Sequence, residues 1–242
     1  MAIILLIGII ASPYTRTATH FRPPATVNRP ERIKFYPVEG EGKVCVLLVD
    51  FSDNQHQVVK SHFDTLIYGS SFGTLHHYYF TVSGGRFGIS NQSQISDWLR
   101  APEGYSFYVG DSFGLTSVFP RNAQGLVYAA CSLADPIIDF SRFDLDGDGL
   151  VDMLLVVHAG PGAEEGGVKD RIWSHKWQLS SDELGCPGPY KTQDGVSVDV
   201  YAMEPEWLEA DQSPITVGVF AHEFGHILGL PDLYDIDYSS YG

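Results

Sequence analysis

His222, Glu223 and His226 stand in the order HExxH, and Gly229 and Asp232 extend it to HExxHxxGxxD. On a helix the two histidines lie one turn apart on one face, so both imidazoles can reach a single zinc ion. Glu223 is turned by about 100° from His222 and can reach a water at that ion rather than the ion itself. Gly229 can adopt the left-handed backbone that stops a helix and swings the chain back, and Pro231 stiffens the turn. Asp232 can then present an oxygen as third ligand. Three protein ligands with an open fourth position is the pattern of catalytic zinc, whereas structural sites are closed by four. The chemistry is that of a hydrolase, with Glu223 as general base. Given the composition, HExxH is expected by chance about 0.015 times in such a chain, and the extended run roughly once in ten thousand. The competing readings are a turn-capping Asp232 and buried helix histidines.

A second constellation is Asp144, Asp146, Asp148, Gly149 and Asp152, spaced DxDxDGxxD. Carboxylates at alternate positions, with a glycine for the tight turn, can wrap one calcium ion. Position 12 of a full EF-hand loop falls on Leu155, so the bidentate closing glutamate is missing. The alternative is a solvated acidic turn. Other candidates are weaker. Gly160, Gly162, Gly166 and Gly167 form a Gly-rich loop, but it lacks a phosphate-binding lysine and holds Glu164 and Glu165, so it reads as a turn near a cleft rim. His158 and His175 are candidates to line the site, against ordinary hydrogen-bonded histidines. His76 and His77 diverge by about 100° on a predicted helix and read as surface or packing residues. Cys45, Cys131 and Cys186 match no zinc knuckle or redox motif, and Cys45 and Cys131 read as small core residues.

These side chains need a scaffold, and the composition supplies one: 242 residues, 44% hydrophobic and 19% charged, suit a soluble globular chain with a real core. Lys43 to Phe51 is a continuous apolar run and predicts a buried central strand. His62–Tyr68 and Leu75–Val82 predict short helices, and Ile89–Ile95 a polar-edged strand. Residues 100–121 read as loop. Asn122 can cap a helix running to Leu133, with Leu126, Val127, Ala130 and Leu133 at helical spacing. Val151–Val157 predicts a second buried strand, and Val196–Ala202 a half-exposed one. Ser213 with Pro214 behind it predicts the start of the final helix, and Gly229 its end. Strands interleaved with helices, without repeats, predict one α/β (α+β) domain.

Charge is split unevenly, +1 over residues 1–134 and −16 over residues 135–242. That surface repels phosphate backbones and argues against nucleic acid or an anionic membrane as partner. Ala2 to Ala11 is an apolar run of the length of a secretory signal's core, too short to span a bilayer. Residues 1–18 therefore read as a signal peptide, 19–42 as a linker or short pro-segment, and 43–242 as a catalytic domain. A secreted product without a stable membrane anchor is expected; the oligomeric state is not legible.

HEFGHILGLPDLYD, VLLVDFSD, DLDGDGLVD and VVHAGPGAEEGG followed by IWSHKW resemble the catalytic domain of the immune inhibitor A family of secreted bacterial metallopeptidases. The resemblance spans about four fifths of the chain. It implies a metzincin-like upper subdomain: a twisted mixed sheet with backing helices and a zinc-binding active-site helix at the cleft floor. It makes His222, His226 and Asp232 zinc ligands and Glu223 the base. It also implies a lower subdomain with a Met-containing turn after the zinc helix, yet no Met follows Met203, so that part is expected to be missing from this sequence. The function expected is a zinc endopeptidase acting on a protein or peptide substrate held extended along an edge strand between Arg171 and Ala202. The rivals are a calcium-stabilised binding or adhesion module with a vestigial or structural zinc site, and a thermolysin-like hydrolase with a distant Glu ligand.

Overall fold

The computed structural model describes residues 39–164 and 166–232. The expected signal segment, nearly all of the linker, and Glu165 lie outside the described residues. Strands β1 (Gly40–Gly42) and β2 (Cys45–Asp50) lead into helices α1 (Lys60–Tyr68) and α2 (Leu75–Val82). Three short strands follow, β3 (Phe87–Ile89), β4 (Gln94–Ile95) and β5 (Leu99–Arg100), and then helices α3 (Tyr105–Val109) and α4 (Ala123–Ala134). The second half holds β6 (Leu154–Pro161), β7 (His175–Gln178), β8 (Tyr190–Lys191), β9 (Ser197–Val198), β10 (Val200–Trp207) and α5 (Val217–Ile227).

The main sheet runs β4-β2-β6-β10-β7, with β5 also paired to β2. All its pairings are parallel except β7, which lies antiparallel on β10 at one edge. A parallel sheet must be covered on both faces, which is why its strands read as unbroken apolar runs. Side-chain alternation divides them between two cores. Cys45, Leu47, Val49, Val156, Tyr201 and Met203 pack with α4, whereas Val46, Leu48, Leu155, Val157 and Ala202 pack with α1, α2 and α5. The architecture is therefore a mixed α+β sheet between helical layers.

The structure revises several boundaries. Ile89–Ile95 is two strands, β3 and β4, interrupted by a turn at Asn91 and Gln92. The expected 100–121 loop contains α3 and buries Tyr108, Phe113 and Leu115. The expected Val151–Val157 strand begins three residues later and continues through the first glycine of the Gly-rich loop to Pro161. Val196–Ala202 is not one half-exposed strand: β9 is separate, and β10 is buried from Tyr201 to Glu206 because it lies between β6 and β7. Asn122 does cap α4, accepting a hydrogen bond from the Gly125 N–H at 2.9 Å.

Candidate active site

The helix carrying His222 and His226 starts at Val217, with Thr216 at the N-cap position but without a side-chain capping bond, not at the Ser213–Pro214 pair. Those residues are held extended against β10: Leu208 N donates to Ser213 O, Ile215 N donates to Glu206 O, and Trp207 bridges Pro214. Pairing with the sheet thus overrides a local helix-start signal. An isolated helix of α5's length would be marginal in water, so tertiary packing must hold it. Phe220, Phe224 and Ile227 form its buried face, each contributing about 1.5–3 kcal/mol by burial. The Phe224 ring meets Tyr79 of α2 at 5.1 Å, and the Tyr79 hydroxyl donates to Ala221 O at 2.6 Å.

The far end closes as the sequence suggests. Gly229 has φ +90°, Gly229 N donates to His226 O at 3.1 Å, and Leu230 N donates to Gly225 O at 2.9 Å. This pair of bonds is the Schellman closure, which requires a residue that tolerates left-handed backbone. It also brings Leu230 O within 2.7 Å of His226 Nδ1. A carbonyl on Nδ1 fixes the proton there and leaves Nε2 as a lone-pair donor.

Past the turn, Asp232 comes back over the histidine face. Its Oδ1 lies 3.3 Å from His222 Nε2 and 3.2 Å from His226 Nε2, and the two Nε2 atoms are 3.2 Å apart. Zinc bonds of ~2.0–2.1 Å in tetrahedral geometry require ligand atoms about 3.3–3.4 Å apart, so the three donors form one face of such a tetrahedron. Acceptor atoms converging so closely repel one another unless a cation or proton lies between them. The residues present therefore fit a zinc ion. His222 and Asp232 are exposed and His226 partly so, leaving the triad open to solvent.

Glu223 points to the other side of its helix position. Only 5% exposed, it places Oε1 4.0 Å from His222 Nε2, while Oε2 is buried without a hydrogen-bond partner among the described residues. Burial, then the nearby Glu164 and Asp232 carboxylates, push its pKa up to about 8, against a hydrogen bond from the Lys176 backbone of β7. The catalytic-base candidate thus lies between the metal triad and the edge strand.

Other candidates are placed elsewhere. His158 and His175 do not join the triad. His158 is buried behind the sheet with Nδ1 on Ala159 O, and His175 places Nδ1 near Trp173 O and Nε2 near the Tyr201 hydroxyl. His76 packs on Phe80 and binds the β3 backbone at Ile89, and His77 meets Phe72. All three cysteines are buried and free. In the acidic loop, Asp144, Asp146 and Asp152 bring carboxylate oxygens within 4.8 Å of one another, whereas Asp148 stands outside that group and accepts from Leu150 N at 2.9 Å.

Sequence reasoning gave no role beside Glu223 to three glutamates. Glu164, in the Gly-rich loop, accepts from the Ser174 hydroxyl at 2.8 Å and acts electrostatically on Glu223. Glu204 is fully buried, both oxygens lack hydrogen-bond partners among the described residues, and burial with the proximity of Glu223 and Glu164 raises its pKa well above the carboxylate range. Glu206 accepts from the N–H groups of Gln57, Val58 and Gly160 and ties the ends of β10 and β6 to the segment that leads into α1. Two acids inside an apolar strand, in YAMEPEW, were the available signal.

Residues 36–242 match the family model described as immune inhibitor A peptidase M6, catalytic domain. The chain belongs to this peptidase family. It is 34% identical over 245 residues to immune inhibitor A of Bacillus thuringiensis subsp. alesti, covering 83% of this chain and 34% of that protein. It is 29% identical over 248 residues to the pre-pro-metalloprotease PrtV of Vibrio cholerae serotype O1, covering 83% of this chain and 26% of that one. The M6 chain described here thus spans about a third or less of the length of these curated relatives. The mixed sheet with its helices agrees with the family's catalytic domain, and a metallopeptidase domain is what the family assignment makes of the HExxHxxGxxD segment.

Proposed function

We propose that the chain is the catalytic part of a secreted zinc endopeptidase in which His222, His226 and Asp232 hold the metal and Glu223 is the general base. The observation that carries this reading is the triangle of donor atoms with sides of 3.2, 3.2 and 3.3 Å. When bound, zinc supplies Lewis acidity, polarising a scissile carbonyl and making water acidic enough to lose a proton near neutral pH. Glu223 would take that proton on the carboxylate whose Oε1 lies 4.0 Å from His222 Nε2 and return it to the leaving amine. His226 is held in the tautomer the role needs by Leu230 O. Strand β7 is at the sheet edge beside Glu223, and a substrate strand could add to it through backbone hydrogen bonds. The apolar run Ala2–Ala11 supports export, and no helix among the described residues is long and apolar enough to cross a membrane.

The test uses full-length protein. Glu223→Ala should keep about one zinc per chain yet lose casein cleavage; undiminished turnover would reject the assigned base. Asp232→Ala should lose zinc in a competitive chelator titration, and retained affinity would favour a distant glutamate ligand instead.

Calcium at the acidic loop is a second part of the proposal. Asp144 accepts from the N–H groups of Gly147, Asp148 and Gly149, which curls the loop and turns the Asp146 and Asp152 oxygens toward it. Calcium at 100 times its Kd should stabilise the protein by about 2.7 kcal/mol. Asp144→Asn should abolish that rise in melting temperature; an equal rise in the variant would remove calcium from this loop.

A further inference from the structure

The open edge of the main sheet carries acids on its backbone. Among the described residues β7 pairs with β10 on one side and with no strand on the other, and successive residues of an antiparallel strand turn their N–H and C=O groups to alternate sides. The Lys176 N–H reaches Glu223 rather than β10, so Lys176 and, two residues earlier, Ser174 face the open side. A carboxylate sits on each. Glu223 takes the Lys176 N–H, whereas Glu164 takes Ser174: its Oε1 accepts from the Ser174 hydroxyl at 2.8 Å and its Oε2 from the Ser174 N–H at 3.4 Å. This second contact holds no member of the metal triad. It fills the position that a carbonyl oxygen would take in a strand added to this edge.

The contact can open without moving the chain. Ala163 is fully buried and its N–H donates to Ile172 O at 3.0 Å, which fixes the backbone beneath Glu164, so release needs only rotation of a half-buried side chain. Gly162 makes the closed position available, since a Cβ there would run into both Glu164 carboxylate oxygens. Repulsion favours departure. Glu164 lies near enough to Glu223 and to the buried Glu204 to act on both electrostatically, and a carboxylate turned toward water is screened from them.

We propose that Glu164 is a specificity-determining residue of the substrate site: its carboxylate takes the Ser174 N–H, so a peptide long enough to run past Ser174 must displace it, and a shorter one need not. The inference rests on the reading of β7 as the substrate strand. The test uses full-length, zinc-loaded protein with a short fluorogenic peptide and two forms of it lengthened by three residues, one at the amino and one at the carboxyl end. Each variant is scored by kcat/KM for a lengthened peptide divided by kcat/KM for the short one, which cancels any effect of Glu164 on the base. For one of the two lengthened forms this ratio should rise roughly tenfold in Glu164→Ala, which removes the carboxylate, and in Gly162→Ala, which keeps its charge and displaces it. Amide hydrogen exchange at Ser174 should accelerate in both variants. Unchanged exchange in Glu164→Ala would overturn the contact itself. Faster exchange with an unmoved or lowered ratio would make Glu164 only a guard of a bare sheet edge and overturn its role in specificity. A parent that cuts none of the three peptides would overturn the endopeptidase reading and this assignment with it.

Discussion

Replacing Glu206 should loosen the carboxyl end of the sheet more than any surface change could. The side chain is fully buried, with Oε1 accepting from the N–H groups of Gln57 and Val58 and Oε2 from Gly160 N at 2.9 Å. Hydrogen bonds to a charged group contribute about 1.5–3 kcal/mol each. Glu206→Gln preserves volume but turns one oxygen into an NH₂ group, which faces a backbone donor whichever way the amide is flipped. One or two of the three bonds are lost, so the expected cost is about 2–4 kcal/mol. Glu206→Ala leaves all three N–H groups without a partner and should cost at least about 4 kcal/mol, among the largest single-site effects. Urea unfolding followed by tryptophan fluorescence measures this, with Trp207 as the adjacent reporter. For a slope near 3 kcal/mol per molar, the Gln variant should lower the midpoint by about 1 M with the slope unchanged. A Gln variant within about 0.5 kcal/mol of the parent would show that these bonds do not hold the strand ends.

Gly125→Ala should destabilise by more than about 2 kcal/mol, although alanine is the better helix former by about 1 kcal/mol. An added Cβ would lie 1.9 Å from the Pro120 carbonyl oxygen, so either the cap of α4 or the preceding turn must move. Equal or higher stability in thermal melts would contradict that packing. His158 gives the pH dependence. Burial, reinforced by neighbouring His175 and opposed by the hydrogen bond to Ala159, pushes its pKa down to about 4. The unfolded chain takes up this proton near 6.5, so the contribution is intact above that pH and is lost as the pH falls toward 4. It amounts to about 3 kcal/mol. His158→Asn should flatten the stability profile between pH 6.5 and 4 by about that amount, and an acid limb identical to the parent's would place the loss in other groups.

That His222, His226 and Asp232 come together was legible because a helix period is a fixed ruler: four residues carry His222 to His226, and a glycine three further on can reverse the chain. The buried runs at β2 and β6 were legible because strands covered on both faces carry little polar punctuation. The boundaries that failed depend on partners remote in sequence. Ser213 and Pro214 have every local feature of a helix start, but their backbone groups pair with β10, so α5 begins at Val217. β10 was expected half-exposed from its alternating first half, and its place between β6 and β7 buries both faces.

By itself, the sequence determined the donor types, their spacing along one helix and the turn that returns Asp232, since each depends on bonds within about ten residues. Tertiary structure alone decided that Asp232 Oδ1 closes the triangle at 3.2 and 3.3 Å, that Glu223 lies beneath an edge strand, and that Glu204 and Glu206 are buried acids with opposite fates. A carboxylate's role is set by the donors and charges around it, and those arrive from strands far apart in the chain, which no local period can count.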